Sequence, residues 1–286
     1  MLHMPATGKN DREILVLYGH HALLERWWGL AQNFNECGAV TMPDMPGFGG
    51  MDSFYRIGKK PTIDNYADYL ASFIKLRYKR RRLTIVGISF GFVVITRMLQ
   101  KYPELAKKVD LVVSIVGFMH RDDFLFKPRT RKLFGFITRQ LARRPIALII
   151  RYTWLNRFTI KQLYIKLPAG KRRFLDMKPE EFEDMMDFEV QLWQANDVRT
   201  HWQTTSEFLK IDNCQKQVDL PIWHVASSHD HYFDNNLVEQ HMRIVFNDYQ
   251  QSIMNSKAHT PGVMSDKKEL SIMVPPALRR ELRRRL

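Results

Sequence analysis

Short apolar runs alternate with amphipathic segments over the first part of the chain. The apolar runs have the length of buried β-strands and lie at 13–19, 39–44, 83–86 and 109–116. Between them, apolar residues recur at helical spacing, which predicts helices near 25–35, 63–79 and 92–99, the second with Asp64 as its N-terminal cap. Strands that alternate with helices through short links predict an α/β fold, a mostly parallel sheet with helices on both faces.

The alternation stops near Met119 and resumes near Pro221, and the intervening pattern is mostly helical, first basic and then acidic. We therefore expect a helical cap at 119–216, inserted into a core made of residues 1–118 and 217–286. The length of 286 residues fits such an arrangement. Later core elements are predicted as a strand at 221–226, a helix at 235–246, a strand at 251–254 and a terminal helix after His259.

The turn after the apolar run 83–86 carries Gly87-Ile88-Ser89-Phe90-Gly91. G-x-S-x-G between a strand and a helix is typical of a nucleophile elbow, a strained turn in which small residues on either side of the serine prevent collisions. The hydroxyl emerges at the carboxyl end of the sheet, beside a helix N-terminus whose backbone N–H groups face a developing oxyanion. Ser89 is therefore the predicted nucleophile.

A serine hydroxyl needs a histidine to accept its proton and a carboxylate to fix the tautomer of that histidine. Asp230 and His259 each follow a late predicted strand, so both are expected at the sheet edge where Ser89 emerges. The chain order Ser, Asp, His is the one that accompanies the nucleophile elbow. Asp234 is the alternative to Asp230 as the acid, although it also suits the N-terminal cap of the helix that begins at Asn235.

With these motifs the chain resembles the α/β hydrolases, and among them serine hydrolases of the esterase or lipase type that carry a helical cap. The resemblance extends from Glu13 to about Leu270 and rests on three linked motifs. These are the elbow, the D-x-P-G-x-G turn at 44–49, and the loop Tyr18-Gly19-His20-His21, which aligns with the family's His-Gly oxyanion loop.

The resemblance implies a catalytic role for each matched residue. Ser89 would be the nucleophile, Asp230 the orienting acid and His259 the general base. The backbone N–H groups of Phe90 and His20 would form the oxyanion hole. Because position 89 is a serine, the alignment excludes the nucleophilic carboxylate of epoxide hydrolases and haloalkane dehalogenases.

Three positions depart from the family pattern, and one of them is Asp234, which stands where a proline often follows the acid. Tyr18 stands where the family has a histidine before the loop glycine, which leaves the hydrogen bonding of that loop open. Phe92 replaces a frequent small residue after the elbow, so tighter packing is expected beneath the following helix.

Composition limits the class of protein. Hydrophobic residues make up 45% of the chain, enough for a full core. Cys37 and Cys214 match no metal spacing and indicate reduced thiols in a cytosolic protein. The N-terminus has no signal-peptide layout, and the apolar run at 145–150 is too short to span a bilayer, so a cytoplasmic protein is expected.

No cofactor and no metal are expected from the motifs. Histidines at 20, 21, 229 and 231 form two neighbouring groups, but no dense ligand set accompanies them. The glycines at 47–50 match neither G-x-G-x-x-G nor the P-loop, so a bound nucleotide is not expected.

The net charge of +14 is concentrated rather than spread. Residues 124–174 contain many lysines and arginines and no acid, and a second basic cluster lies at 279–285. Aromatic and aliphatic residues interleave with the basic ones, which suits an interfacial helix on anionic lipid or a cap whose apolar face covers a pocket. The acidic segment that follows would neutralise part of this charge. Nucleic-acid binding is not expected, because no recognised module accompanies the charge.

These inferences predict a serine hydrolase that cleaves carboxylic esters with an apolar group through an acyl-enzyme on Ser89. An amidase, a thioesterase or a C–C bond hydrolase on the same triad are alternatives. A further alternative is a non-catalytic, hydrolase-like protein that binds anionic membrane surfaces through its basic cap and C-terminal tail. The expected partner is a small-molecule ester, and the sequence determines neither its identity nor the oligomeric state.

Overall fold

A computed structural model describes residues 1–7, 12–79, 82–166, 179–256, 259 and 266–284. Over these residues seven strands form one sheet in the order β1-β3-β2-β4-β5-β6-β7. The strands are β1 Leu2–Met4, β2 Glu13–Leu17, β3 Ala39–Met42, β4 Leu83–Ile88, β5 Val109–Ile115, β6 Val218–Ser227 and β7 Phe246–Met254. All neighbouring pairs are parallel except β1 with β3. The predicted α/β fold with a mostly parallel sheet is confirmed.

The central strands are buried along their whole length, which is why they appear in the sequence as continuous apolar runs. Every residue of β2 and β4 is buried. The edge strand β1 was not predicted, because it has only three residues and pairs antiparallel with β3 through Leu2 opposite Met42 and Met4 opposite Val40. Three residues are too few to show the alternation of apolar and polar positions from which a strand is predicted.

Helices connect the strands, and several lie in the interval between β5 and β6. Outside that interval they are α1 Trp28–Asn35, α2 Ile63–Arg77, α3 Phe90–Lys101, α4 Pro103–Ala106, α10 Asn235–Val245, α11 Lys267–Leu270 and α12 Pro276–Arg284. Within it they are α5 Pro128–Leu141, α6 Arg144–Ile149, α7 Arg157–Lys166, α8 Pro179–Ala195 and α9 Val198–Phe208. A π-helical turn, Ile150–Trp154, joins α6 to the segment before α7.

The predicted cap of α2 at Asp64 is wrong. The N-cap is Thr62, whose side chain accepts a hydrogen bond from the backbone N–H of Asn65 at 3.2 Å. An N-cap must itself be non-helical, and Thr62 has extended backbone angles whereas Asp64 already lies inside the first turn. The Asp64 carboxylate instead pairs with Arg97 of α3 at 2.6 Å.

The helices between β5 and β6 are held to the turn that follows β3. The backbone N–H of Asp197 donates to the carbonyl of Gly47 at 2.8 Å, and the Asn196 side chain accepts from the N–H of Gly49 at 2.9 Å. The Thr200 hydroxyl lies 2.7 Å from that of Ser53. These contacts fix the start of α9 against a loop of the sheet. The division of the chain into core and cap at residues 119 and 216 stays a prediction.

Acidic side chains of α8 neutralise basic ones of α7. Glu183 pairs with Arg157 at 2.6 Å and with Lys161 at 2.8 Å, and Asp187 also pairs with Arg157. These ion pairs are largely exposed, so each contributes little to stability.

The C-terminal basic cluster is partly bound into the fold. Leu278 and Leu282 of α12 are buried, and the Arg279 side chain pairs with Glu36 at 2.6 Å. Arg285 lies outside the described residues, as do 167–178 of the basic and acidic segments. Within the described ranges, no helix has the length and apolar character needed to cross a membrane.

Two helical glycines give a matched stability test. A Cβ on Gly29 of α1 would lie 2.7 Å from the backbone of Asp266, whereas one on Gly135 of α5 meets nothing within 4 Å. Alanine in a helix gains about 1 kcal/mol over glycine, but a clash against backbone costs about 1–3 kcal/mol. In chemical denaturation, Gly135→Ala should raise the free energy of unfolding by about 1 kcal/mol and Gly29→Ala should lower it. Stabilisation by both would contradict the close packing of α1 on the segment before α11.

Candidate active site

Ser89 lies in the turn between β4 and α3, in a strained backbone conformation. Its φ is +48° and its ψ is −114°, a combination that L-residues rarely adopt. The turn is held by two backbone hydrogen bonds, from Ser89 N–H to the Ile115 carbonyl at 2.9 Å and from Phe92 N–H to the Ser89 carbonyl at 3.0 Å. The strand on one side and the helix on the other therefore fix where the hydroxyl emerges.

Close backbone approach explains the glycines that flank the serine. A Cβ on Gly87 would lie 2.4 Å from the Cα of Phe92, and a Cβ on Gly91 would lie 2.2 Å from the carbonyl oxygen of Leu17. No side chain fits at either position. Phe92 itself is fully buried and its ring fits tightly, because a Cβ on Gly117 would lie 2.5 Å from it. The tight packing expected at Phe92 is present.

Ser89, His259 and Asp230 are brought together at one end of the sheet. The Ser89 hydroxyl lies 3.2 Å from Nε2 of His259, and Nδ1 of the same ring lies 2.6 Å from Oδ2 of Asp230. With Nδ1–H donating to the carboxylate, Nε2 is left as the acceptor for the serine proton. This arrangement is the one that removes a proton from a serine hydroxyl.

The Asp230 carboxylate is fixed on both of its oxygens. Its Oδ1 accepts hydrogen bonds from the backbone N–H groups of Tyr232 at 2.8 Å and Phe233 at 3.2 Å, which leaves Oδ2 for His259. The Asp230 side chain is 3% exposed and that of His259 is 13% exposed. Exclusion of water strengthens the attraction between a carboxylate and an imidazolium.

Asp234, the alternative acid, faces a different part of the structure. Its carboxylate accepts from the backbone N–H groups of Asn236 at 2.9 Å and Leu237 at 3.3 Å, as the N-cap of α10. The contact with His259 is made by Asp230.

The loop that contains His20 lies directly against the elbow. A Cβ on Gly19 would lie 3.4 Å from the Ile88 carbonyl and 3.5 Å from Cβ of Ser89. Phe90 is the first residue of α3, so its N–H belongs to a turn whose donors have no partner within the helix. The two backbone segments expected to carry the oxyanion hole are thus adjacent to the Ser89 side chain.

Tyr18 connects this loop to the D-x-P-G-x-G turn, at the position where the family has a histidine. Its hydroxyl accepts from the backbone N–H of Met45 at 3.0 Å and donates to the Asp44 carboxylate at 3.3 Å. Burial, together with the neighbouring Asp44 charge, raises the pKa of Tyr18 well above its usual value, so the hydroxyl keeps its proton. The tyrosine hydroxyl therefore connects the loop to the turn by two hydrogen bonds where the family has a histidine.

His20 is held neutral between the elbow and α9. The Thr204 hydroxyl already donates to the Thr200 carbonyl, so Nε2–H of His20 is the donor to the Thr204 oxygen at 2.8 Å. Burial lowers the pKa of His20 to about 4. Burial also lowers the pKa values of His21 and His201 well below the ordinary value, and the three rings influence one another. At neutral pH this side of the site is uncharged.

Aromatic rings surround the imidazole of His259. Phe233 and Tyr232 each have a ring centroid 5.3 Å from it, and Phe233 stacks on Phe118 at 4.5 Å. Phe124 and Phe208 extend the same cluster. Thr204 and Phe208 were not predicted as site residues, although their spacing of four places them on one face of a helix and indicates a shared environment.

Other candidate features lie apart from these residues. In the described part of the chain, no three His, Cys, Asp or Glu side chains are arranged so that they could hold a metal ion, and His229 bonds the neighbouring Ser228 hydroxyl at 2.9 Å. A cavity of about 1150 Å³ is lined by residues that include Leu23, Trp28 and Asp266. Neither Ser89 nor its two partners line that cavity.

Comparison with known proteins supports the resemblance stated from the motifs. Residues 14–143 match the family model of the α/β hydrolase fold. Among curated proteins, none matches the sequence. A thermophilic esterase from Thermogutta terrifontis has a TM-score of 0.68 at 13% identity, with 99% of this chain and 92% of the esterase covered.

Two further structures have the same architecture. A hydrolase from Oleispira antarctica has a TM-score of 0.69 at 12% identity, covering 97% of this chain and 92% of that one. An N-formylmaleamic acid deformylase from Pseudomonas putida has a TM-score of 0.62 at 13% identity, covering 90% and 88%. At these identities the likeness shows the fold alone.

The strain at Ser89 predicts a gain in stability when its Cβ is removed. Such a backbone conformation costs about 1–3 kcal/mol for an L-residue, and glycine loses about 0.5–1 kcal/mol in chain entropy. Ser89→Gly should therefore raise the free energy of unfolding by about 1 kcal/mol in chemical denaturation. Ser89→Ala keeps the Cβ and should leave it nearly unchanged. If Ser89→Gly is instead less stable than Ser89→Ala by about 0.5–1 kcal/mol, the entropy loss of glycine alone, the turn stores no strain.

Proposed function

Since the chain has the α/β-hydrolase fold, we propose that it is a serine hydrolase that cleaves carboxylic esters with an apolar group through an acyl-enzyme on Ser89. The observation that carries the proposal is the continuous line of hydrogen bonds from Ser89 through His259 to Asp230, with distances of 3.2 Å and 2.6 Å.

In the proposed acylation step, Oγ of Ser89 attacks the ester carbonyl while Nε2 of His259 takes the serine proton. The resulting imidazolium is stabilised by the Asp230 carboxylate on Nδ1–H. When the tetrahedral intermediate collapses, the ester C–O bond breaks and the alcohol leaves with the proton held by His259. Water then attacks the acyl-enzyme with His259 as base, and the acid is released with Ser89 restored.

The developing oxyanion would be bound by the backbone N–H groups of Phe90 and His20. Their adjacency to Ser89 supports this assignment, as does the neutral His20 ring, which leaves the backbone N–H as the donor. Each such donor contributes about 10²–10³ in rate. This term accounts for most of the catalysis that would survive loss of a triad member.

The aromatic cluster supports an apolar substrate group. Phe118, Phe124 and Phe233 enclose the side of the site next to His259, and a hydrocarbon group gains by leaving water there. Structures similar to this one include an esterase and a deformylase. An ester is proposed because its alkoxide leaving group is the easier one to expel. We propose that the helices at 119–216 form a cap over this region.

A fluorophosphonate probe tests the nucleophile directly. The folded protein should react once per chain, with the adduct located on Ser89 by mass spectrometry, because the probe phosphorylates only an activated serine. Ser89→Ala, which keeps the backbone turn, is the matched control and should remain unlabelled. If the wild-type protein stays unlabelled, or if label appears elsewhere in both proteins, the proposed nucleophile is wrong.

Substitution of Asp230 and of Asp234, which lie in the same loop after β6, distinguishes a catalytic role from helix capping. Asp230→Asn should lower kcat for a nitrophenyl ester by about 10⁴, because the amide no longer fixes the tautomer or balances the imidazolium. Asp234→Asn should leave kcat nearly unchanged, because asparagine is also an effective N-cap. Melting temperatures serve as the control for folding. A loss of kcat in Asp234→Asn as large as that in Asp230→Asn would contradict the assignment of the acid.

A further inference from the structure

Helix α5 buries polar side chains and exposes apolar ones, the opposite of an ordinary surface helix. Its buried side carries Arg131 and Thr138, and Ala142 just beyond its end is buried on the same side. Its exposed side carries four large apolar residues that are 40–60% exposed: Leu133, Phe134, Phe136 and Ile137. At 100° per residue, Leu133, Phe136 and Ile137 lie across the helix from the buried positions, and Phe134 lies at the border of these three apolar residues. We call the four residues the apolar face of α5.

Exposed apolar residues continue along the chain after α5. Leu148 and Ile149 of α6, Tyr152 and Trp154 of the π-helical turn, and Phe158 of α7 are all more than 40% exposed. Single exposed apolar residues need no explanation, but an accumulation of this size within one segment marks an interaction surface.

The charge of this segment has a single sign. Lys132 and Arg139 lie on α5 beside the apolar face, and Arg143 and Arg144 follow at the start of α6. Among the described residues no ion pair involves these four, in contrast to Arg131, Arg157 and Lys161, whose charges are paired with acids. No acid occurs anywhere between 124 and 166. A partner that covers the apolar face must therefore bring negative charge.

A second copy of the same chain does not meet this requirement. Two such faces brought together would place lysines and arginines of the same sign against one another, without an acid on either side to compensate. An anionic lipid surface supplies both components, since its headgroups carry the negative charge and its acyl region accepts the apolar side chains.

The apolar face is connected to the active site by a row of aromatic rings. The ring centroids of Phe134 and Phe126 lie 5.6 Å apart, and those of Phe126 and Phe124 lie 5.9 Å apart in a stacked pair. The centroids of Phe124 and Phe233 lie 4.8 Å apart. Phe233 lies 5.3 Å from His259. The exposed face and the chemistry are thus on one continuous apolar path.

We propose that the apolar face of α5, with Lys132, Arg139, Arg143 and Arg144, docks the protein on anionic membrane surfaces. Leu133, Phe136 and Ile137 enter the boundary between headgroups and acyl chains, and the basic side chains contact the headgroups. The docking does not depend on the hydrolase activity, so Ser89→Ala binds vesicles as the wild type does.

Co-sedimentation of the full chain with vesicles tests the proposal. Vesicles of phosphatidylcholine mixed with phosphatidylserine should bind the protein at low ionic strength, whereas phosphatidylcholine alone should bind it weakly. High salt should weaken binding to the mixed vesicles, because the headgroup contribution is screened. Lys132→Glu and Arg139→Glu should each weaken partitioning at least about five-fold, and Phe136→Ser should weaken it about ten-fold.

Matched controls come from exposed positions elsewhere on the molecule. Leu76 near the end of α2 is 76% exposed and lies in a basic stretch, and Lys107 is also exposed. Leu76→Ser and Lys107→Glu should bind as the wild type does. Far-ultraviolet circular dichroism and melting temperatures confirm that each variant is folded.

Four outcomes would overturn the proposal. Equal binding to both kinds of vesicle would remove the electrostatic component. Unchanged binding in Phe136→Ser, with loss in the charge variants, would indicate a general polyanion site rather than an interfacial one. Losses in the controls as large as those in α5 would show that the face is not specific. A concentration-dependent dimer that Phe136→Ser abolishes, without vesicle binding, would assign the face to a second copy.

Discussion

The close approach of backbone to backbone at the turn between β4 and α3 is the constraint on which the rest of the site depends. Gly91 lies against the Leu17 carbonyl and Gly87 lies against Phe92, so β2, β4 and α3 meet with no room for a side chain. This contact holds Ser89 at a φ of +48° and directs its hydroxyl to the carboxyl end of the sheet. Packing of the buried strands on either side offsets the free energy of that strain.

Ser89 has a charged side chain on one side and uncharged side chains on the other. On one side Asp230 is nearly buried and directs its free oxygen to His259, so a positive imidazole would be stabilised there. On the other side burial keeps His20 uncharged beside the loop that faces the serine. In the proposed reaction, positive charge would develop on His259, which faces Asp230, and negative charge would develop on the substrate, which would face the uncharged side.

The helices between β5 and β6 have two different surfaces. Toward the sheet, Asn196 and Asp197, just before α9, bond the turn after β3, and Thr204 of α9 bonds His20. Away from it, α5 exposes apolar side chains together with Lys132 and Arg139, which form no ion pair among the residues that the structure describes. Specificity and location would therefore be set by the same insertion, with aromatic rings from Phe134 to Phe233 between the two surfaces.

The sequence alone determined the elbow and the parallel part of the sheet, because a buried parallel strand is a continuous apolar run and a nucleophile elbow needs glycines at fixed spacing. It did not determine the short antiparallel strand β1. It also placed Asp230 and His259 after late strands, from which their meeting at one edge follows. Only the tertiary structure decided that Asp230 rather than Asp234 contacts His259, since both follow the same strand and their backbone hydrogen bonds differ. The structure alone also decided that Thr62 caps α2 and that α5 turns its apolar side outward. Amphipathic spacing shows that a helix has two sides but not which of them is covered.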